Sequence, residues 1–211
     1  MRRDSRLLFG LLAVAIFLLG GAGLALMVPG YSHVRQTVSE IGEIGSPARV
    51  PFAVMLCAVA ACLLVFARAV RDASVAADRS ALAAYLIGFM ALPAAGTGIF
   101  AYPHPLHNVF GISELLGYQA PLAFALAWRN DPRAKALVAF SWIMFGIIWL
   151  AIVVNLSSLD SQSVFWAHMK PVHGLVQRAL FLAWFGWCAI VGAAMYRWEP
   201  KDAAPSVSPI H

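Results

Sequence analysis

Six long apolar stretches divide the chain: Leu7 to Val28, Val50 to Phe66, Ala81 to Tyr102, Val109 to Trp128, Ala136 to Leu156 and Val172 to Tyr196. A helix needs about 20 mostly apolar residues to cross a hydrocarbon core of about 30 Å. Five of the stretches have that length, and the second reaches it if it continues to Val70. Charged residues make up only 12% of the chain, about half of what a soluble domain carries. The expected fold is therefore an all-α integral membrane protein of six transmembrane helices arranged as three hairpins. Residues 1–198 form one transmembrane domain, with no room for a separate soluble one. Residues 199–211, rich in Pro, Ser and Ala, are expected to be a disordered cytoplasmic tail.

Charge sets the expected orientation. With the N-terminus in the cytoplasm, 11 of the 15 Lys and Arg residues lie inside, and only Arg35, Arg49, Lys170 and Arg178 lie outside. The reverse orientation inverts those numbers. The positive-inside rule thus places both termini in the cytoplasm, as in a multi-pass protein of the plasma or inner membrane. The excess basic charge is spent on topology, so it does not point to nucleic acid. Arg2, Arg3 and Arg6 precede the first stretch as they would a signal peptide. That stretch is about twice as long as a signal's apolar core of 7–15 residues, and it is read as a span. Cys57, Cys62 and Cys188 fall within spans with no paired spacing, as small packing residues do.

His33, His104, His107, His168 and His173 all lie in or beside the first, third and fifth connections, which this orientation places outside. Prolines stand at the start of the second, fourth and sixth spans, as at Pro51, Pro105 and Pro171. Proline suits a first helical turn, so these helices present their positive dipole ends to the histidine side. Pro93 and Pro121 fall within spans and are expected to kink them. The small residues from Gly88 to Gly98 give the third span a surface for close helix packing.

Three stretches carry polar residues that could act chemically. In Tyr31 to Ser46, Val34, Val38 and Ile41 repeat at helical spacing, and so do His33, Thr37 and Glu40. This predicts a short surface helix, with Glu40 either aimed into a site or part of a solvated loop. On the fourth span His107 and Glu114 share a helix face, seven residues apart. Glu114 then lies roughly 13 Å from the helix start. A carboxylate at that depth is costly and needs a partner or a function, and Arg178 stands at a similar depth on the sixth span. A Glu114–Arg178 pair would serve packing or catalysis alike. His173 and Gln177 share a face of the sixth span.

Metal binding is a further expectation. His107, His168 and His173 could supply three nitrogen ligands to a divalent metal such as zinc, with Glu40 or Glu114 adding an oxygen. No local metal motif supports the set, and hydrogen-bonding surface histidines account for the same residues. A haem held by His107 and His173 is weaker still, because no second histidine pair lies deeper.

Ser39-Glu40-Ile41-Gly42, His107 at the opening of the fourth span, and Gly174-x-x-Gln177-Arg178 together resemble a family of six-span prokaryotic membrane proteins, catalogued as domain of unknown function nine-nine-eight. The resemblance covers nearly the whole chain. It implies an architecture and a residue set but no reaction. The chain departs from that pattern before the fourth span, where Ala101-Tyr102-Pro103-His104 replaces an expected Phe-Pro-x-Asp-like turn.

The expected site is an outward-facing cavity between helices. Glu40 or His107 would act as general base, with Glu114 and Arg178 also in catalytic positions and Arg178 stabilising negative charge. Ser39, Gln177 and His33 would bind the substrate. The ligand would be an amphiphilic or lipid-like molecule in the surrounding bilayer. The rival expectations are a small-molecule or proton-coupled transporter and a non-catalytic membrane subunit that binds a protein partner.

Overall fold

The computed structural model describes residues 4–160 and 162–198. Residues 199–211, expected to form the tail, lie outside them. The helices are α1 (Phe9–Ala25), α2 (Arg49–Ala76), α3 (Leu82–Ile99), α4 (Pro105–Gly117), α5 (Ala120–Trp128), α6 (Lys135–Leu156), α7 (Val164–Met169) and α8 (His173–Arg197). Short 3-10 turns extend several of them, and the described residues contain no strand. Six continuous helical stretches, with α4 and α5 counted together, are long and apolar enough to cross a membrane. The protein is an all-α, six-span membrane protein.

The spans pack in a ring. α1 touches α2 and α8, α2 touches α3, α3 touches α4 and α5, α5 touches α6, and α6 closes on α8. The close approaches rest on small residues. A Cβ at Gly192 would stand 2.4 Å from the Leu7 carbonyl oxygen, and one at Gly96 would enter the Phe110 ring at 2.4 Å. Without a hydrophobic drive between helices in lipid, such close packing is what holds them together. The small surface expected on α3 has this role.

The two interior prolines behave differently. α3 runs continuously through Pro93. The fourth span breaks at Tyr118 and Gln119, one turn before Pro121, into α4 and α5. Pro121 has no N–H to give the Gly117 carbonyl, and the Trp184 indole N–H donates to that oxygen at 3.0 Å instead. The Gln119 amide donates to Leu115 O at 2.9 Å. Freed backbone groups at membrane depth are tolerated only when satisfied in this way.

The break also divides the ring in two. α5 packs against both α3 and α6, which closes one half. There Phe124, Trp128 and Trp187 are fully buried. α4 packs chiefly on α3, and the space between α4, α6 and α8 is open. The described residues of the connections 26–48, 100–104, 157–160 and 162–172 cover this open half, the site end.

Candidate functional site

The first connection is not a surface helix. Residues 31–38 form turns, and only Ser39–Gly42 is helical, as one 3-10 turn. Val38 and Ile41 are buried as the apolar stripe predicts, whereas Val34 is 44% exposed. The loop lies across the ends of α4 and α8 and is held there by specific bonds.

α8 supplies most of the clasp. Arg178 Nη1 donates to the backbone oxygens of His33 (2.8 Å), Gln36 (2.8 Å) and Gly174 (2.9 Å). Its Nη2 donates to the Tyr31 hydroxyl. Gln177 Oε1 accepts the Val38 N–H at 2.7 Å, and the Leu175 N–H reaches Val34 O at 3.2 Å. Gly174 permits the approach, because a Cβ there would stand 2.3 Å from Gln36 O. Gly174, Gln177 and Arg178 thus act as one unit. A loop without helical bonds has orphan carbonyls, and the arginine fork carries enough donors to serve several of them.

The Ser-Glu-Ile-Gly turn completes the attachment. Ser39 Oγ lies 3.0 Å from His107 Nε2. One Glu40 carboxylate oxygen accepts from the Thr37 N–H and from the Thr37 hydroxyl. Ile41 is buried, and Gly42 packs so closely on Phe52 that a Cβ there would fall inside the ring. The Ile44 N–H donates to Tyr102 O at 2.8 Å, tying the loop to the turn before α4.

His107 is 6% exposed. Its Nδ1 lies 3.0 Å from Thr97 O and 2.9 Å from Phe100 O. Carbonyl oxygens only accept, so Nδ1 carries the proton. In the neutral ring Nε2 is then the acceptor, and the Ser39 hydroxyl donates to it.

Beneath the loop lies a cavity of about 840 Å³. Ser39, Glu40, His107, Glu114, His173 and Gln177 all line it. Deeper walls are apolar and include Phe17, Phe52, Leu56 and Phe181, and Met90, Tyr118 and Trp184 also line the cavity. Its rim is of two kinds. Arg35, Asn108 and Lys170 are exposed polar groups on the lining. Ile112 (68% exposed), Leu156 (47%) and Leu159 (81%) line it as well. The lining thus joins exposed apolar residues of α4, of α6 and of the turn after α6 to exposed polar ones.

Several expectations change. The Glu114–Arg178 pair is not made: Arg178 is spent on the loop, and Glu114 accepts a hydrogen bond from the Tyr118 hydroxyl at 2.7 Å. Arg178 and His33 do not line the cavity. His33 offers its backbone oxygen to the clasp, and its ring packs edge-on to Tyr31. His107, His168 and His173 are not gathered as metal ligands. Among the described residues no group of three His, Cys, Asp or Glu side chains could hold a metal ion. His168 is exposed, with Nδ1 on Val164 O at 2.8 Å, and His173 packs edge-on against Trp166. His104 caps α4 by accepting the Leu106 N–H. Nothing in the sequence pattern singles out Arg35, Asn108 or Lys170 as lining residues. Arg35 and Lys170 counted only toward topology.

The family described as "Protein of unknown function (DUF998)" matches residues 11–194. No curated protein and no solved structure matches the chain.

Proposed function

The chain belongs to the DUF998 family, a membership that carries no activity, and from the cavity we propose that the protein binds an amphiphilic, lipid-like molecule drawn from the surrounding leaflet. The observation that carries this reading is the mixed rim. Exposed apolar residues Ile112, Leu156 and Leu159 border the same cavity as the polar groups Arg35, Asn108 and Lys170. A molecule with a polar head and an apolar chain fits both at once. The positive-inside count supports placing this end at the outer leaflet.

Moving a hydrocarbon chain from lipid into an apolar pocket gains little, because the bilayer is as apolar as the pocket. The apolar wall therefore selects shape, and affinity comes from the polar head. Arg35 and Lys170 suit an anionic head through charge-assisted hydrogen bonds. The cavity's deep end at Tyr118 and Trp184, with Phe124, Trp128 and Trp187 packed in the other half, favours a binding pocket over a path through the protein.

Gly111 lines the cavity, and a Cβ there would meet nothing within 4 Å. Gly111→Phe adds a ring at a cavity-lining position where a Cβ meets no neighbour. Mass spectrometry of lipids co-purified with the wild type and with this variant tests the reading. It predicts a tightly retained lipid class that the variant loses. Equal lipid content in the two proteins contradicts it.

A further inference from the structure

We infer that Ser39 is a nucleophile activated by His107, and that the site cleaves an acyl ester bond in its amphiphilic ligand; this rests on the cavity being a lipid-binding pocket.

The geometry is that of a serine–histidine dyad. Two carbonyls at Nδ1, Thr97 O and Phe100 O, hold the proton on that nitrogen and leave the Nε2 lone pair facing the Ser39 hydroxyl at 3.0 Å. In a catalytic triad a carboxylate orients the base, and here two backbone carbonyls have that role. A nucleophile and base within hydrogen-bond reach, with the base oriented by a third group, is the pattern that nucleophilic catalysis needs. Both residues line the cavity.

The dyad is also rigidly placed. His107 sits in the first turn of α4 and is buried. The backbone of residues 37–39 is fixed by Gln177 at Val38 and by Glu40 at Thr37. Such support holds reacting atoms in place at no further cost.

The step balances with water as the only co-reactant. Ser39 Oγ bonds to the ester carbonyl carbon as its proton passes to His107 Nε2. The carbon–oxygen bond to the alcohol then breaks, and the alcohol leaves with the proton from Nε2. Water adds to the acyl-serine and gives its proton to Nε2. The acid departs as that proton returns to Ser39.

The full-length protein in detergent micelles is treated with a long-chain alkyl fluorophosphonate, which labels activated serines, and the adduct is mapped by peptide mass spectrometry. In parallel, p-nitrophenol release from p-nitrophenyl decanoate is followed. The wild type gains one adduct, at Ser39, and hydrolyses the ester. Ser39→Ala loses both while keeping its elution profile. His107→Gln, which keeps a polar group beside Ser39 but no base, labels at least about 100-fold more slowly. A wild type that retains lipid but gains no adduct at Ser39 overturns the catalytic inference and leaves the binding proposal standing. Loss of both lipid and label overturns both. Equal labelling of His107→Gln and the wild type removes His107 as the base.

Discussion

Gln177 Oε1 accepts the Val38 N–H at 2.7 Å, and this one bond joins the first connection to the last span immediately beside Ser39. With Arg178 it makes the loop a fixed wall of the cavity.

That wall is expected to fail when its cation is removed. Arg178→Ala leaves the oxygens of His33, Gln36 and Gly174 without the donor they share. The expected loss is about 2–3 kcal/mol, read as a lower melting midpoint in detergent and faster proteolysis between residues 31 and 38. Arg178→Lys recovers only part of it, because an ammonium does not reproduce the fork. A midpoint unchanged in Arg178→Ala would mean that the clasp contributes nothing.

Two glycines should respond in opposite directions. Gly174→Ala drives a Cβ to 2.3 Å from Gln36 O and should cost about 1–3 kcal/mol, as overpacking does. Gly111→Ala meets nothing and should gain about 0.5–1 kcal/mol from helix propensity. Paired melting curves check the contrast, and equal shifts would contradict it.

Glu114 has the Tyr118 hydroxyl on one oxygen and no ion pair with Arg178. Glu114→Gln keeps an acceptor for Tyr118 and removes an ionisable group from the membrane interior. Stability should stay level or rise. A fall of 3 kcal/mol or more, of the order of about 3–5 kcal/mol that losing a buried charge partner costs, would reveal a cation at this carboxylate.

The clasp should loosen in acid. Burial first, then the nearby Arg178 cation, holds the His33 imidazole below its ordinary 6.5. The released loop therefore takes up a proton more readily than the clasped one. The contribution of His33 is present above 6.5 and is lost as pH falls through the lower folded value. Tyr31 and Arg178 are the other ionisable groups at this contact. Local opening of residues 31–38, taken as the hydrogen-exchange rate divided by the intrinsic amide rate at each pH, should rise as pH falls from 7.5 to 5.5 in the wild type and rise less in His33→Asn. An equal rise in both would exclude His33 as its source.

The spans were legible because hydropathy over about 20 residues is a direct readout of the bilayer. Pro121 marks the broken span, but the repair is a bond from Trp184 to Gly117 O, 67 residues apart, and has no local pattern. The residues of the site were legible as types, and most of them line one cavity. Their partners were less so. Arg178 was paired with Glu114 because the two share a depth, but orphan backbone carbonyls in a loop leave no mark in sequence, and they claim the guanidinium. The metal set of His107, His168 and His173 fails for a similar reason: His107 and His168 each have a ring nitrogen on a neighbouring backbone oxygen and His173 packs on Trp166, which a list of side chains does not reveal.

The most direct test of a lipid-binding cavity is photocrosslinking with a diazirine-bearing acyl lipid in proteoliposomes, with the modified residues mapped by mass spectrometry. The account predicts adducts on the cavity residues Phe52, Leu56 and Phe181, lost in Gly111→Phe. Adducts confined to outward positions such as Leu19 and Leu150, unchanged by that substitution, would contradict it.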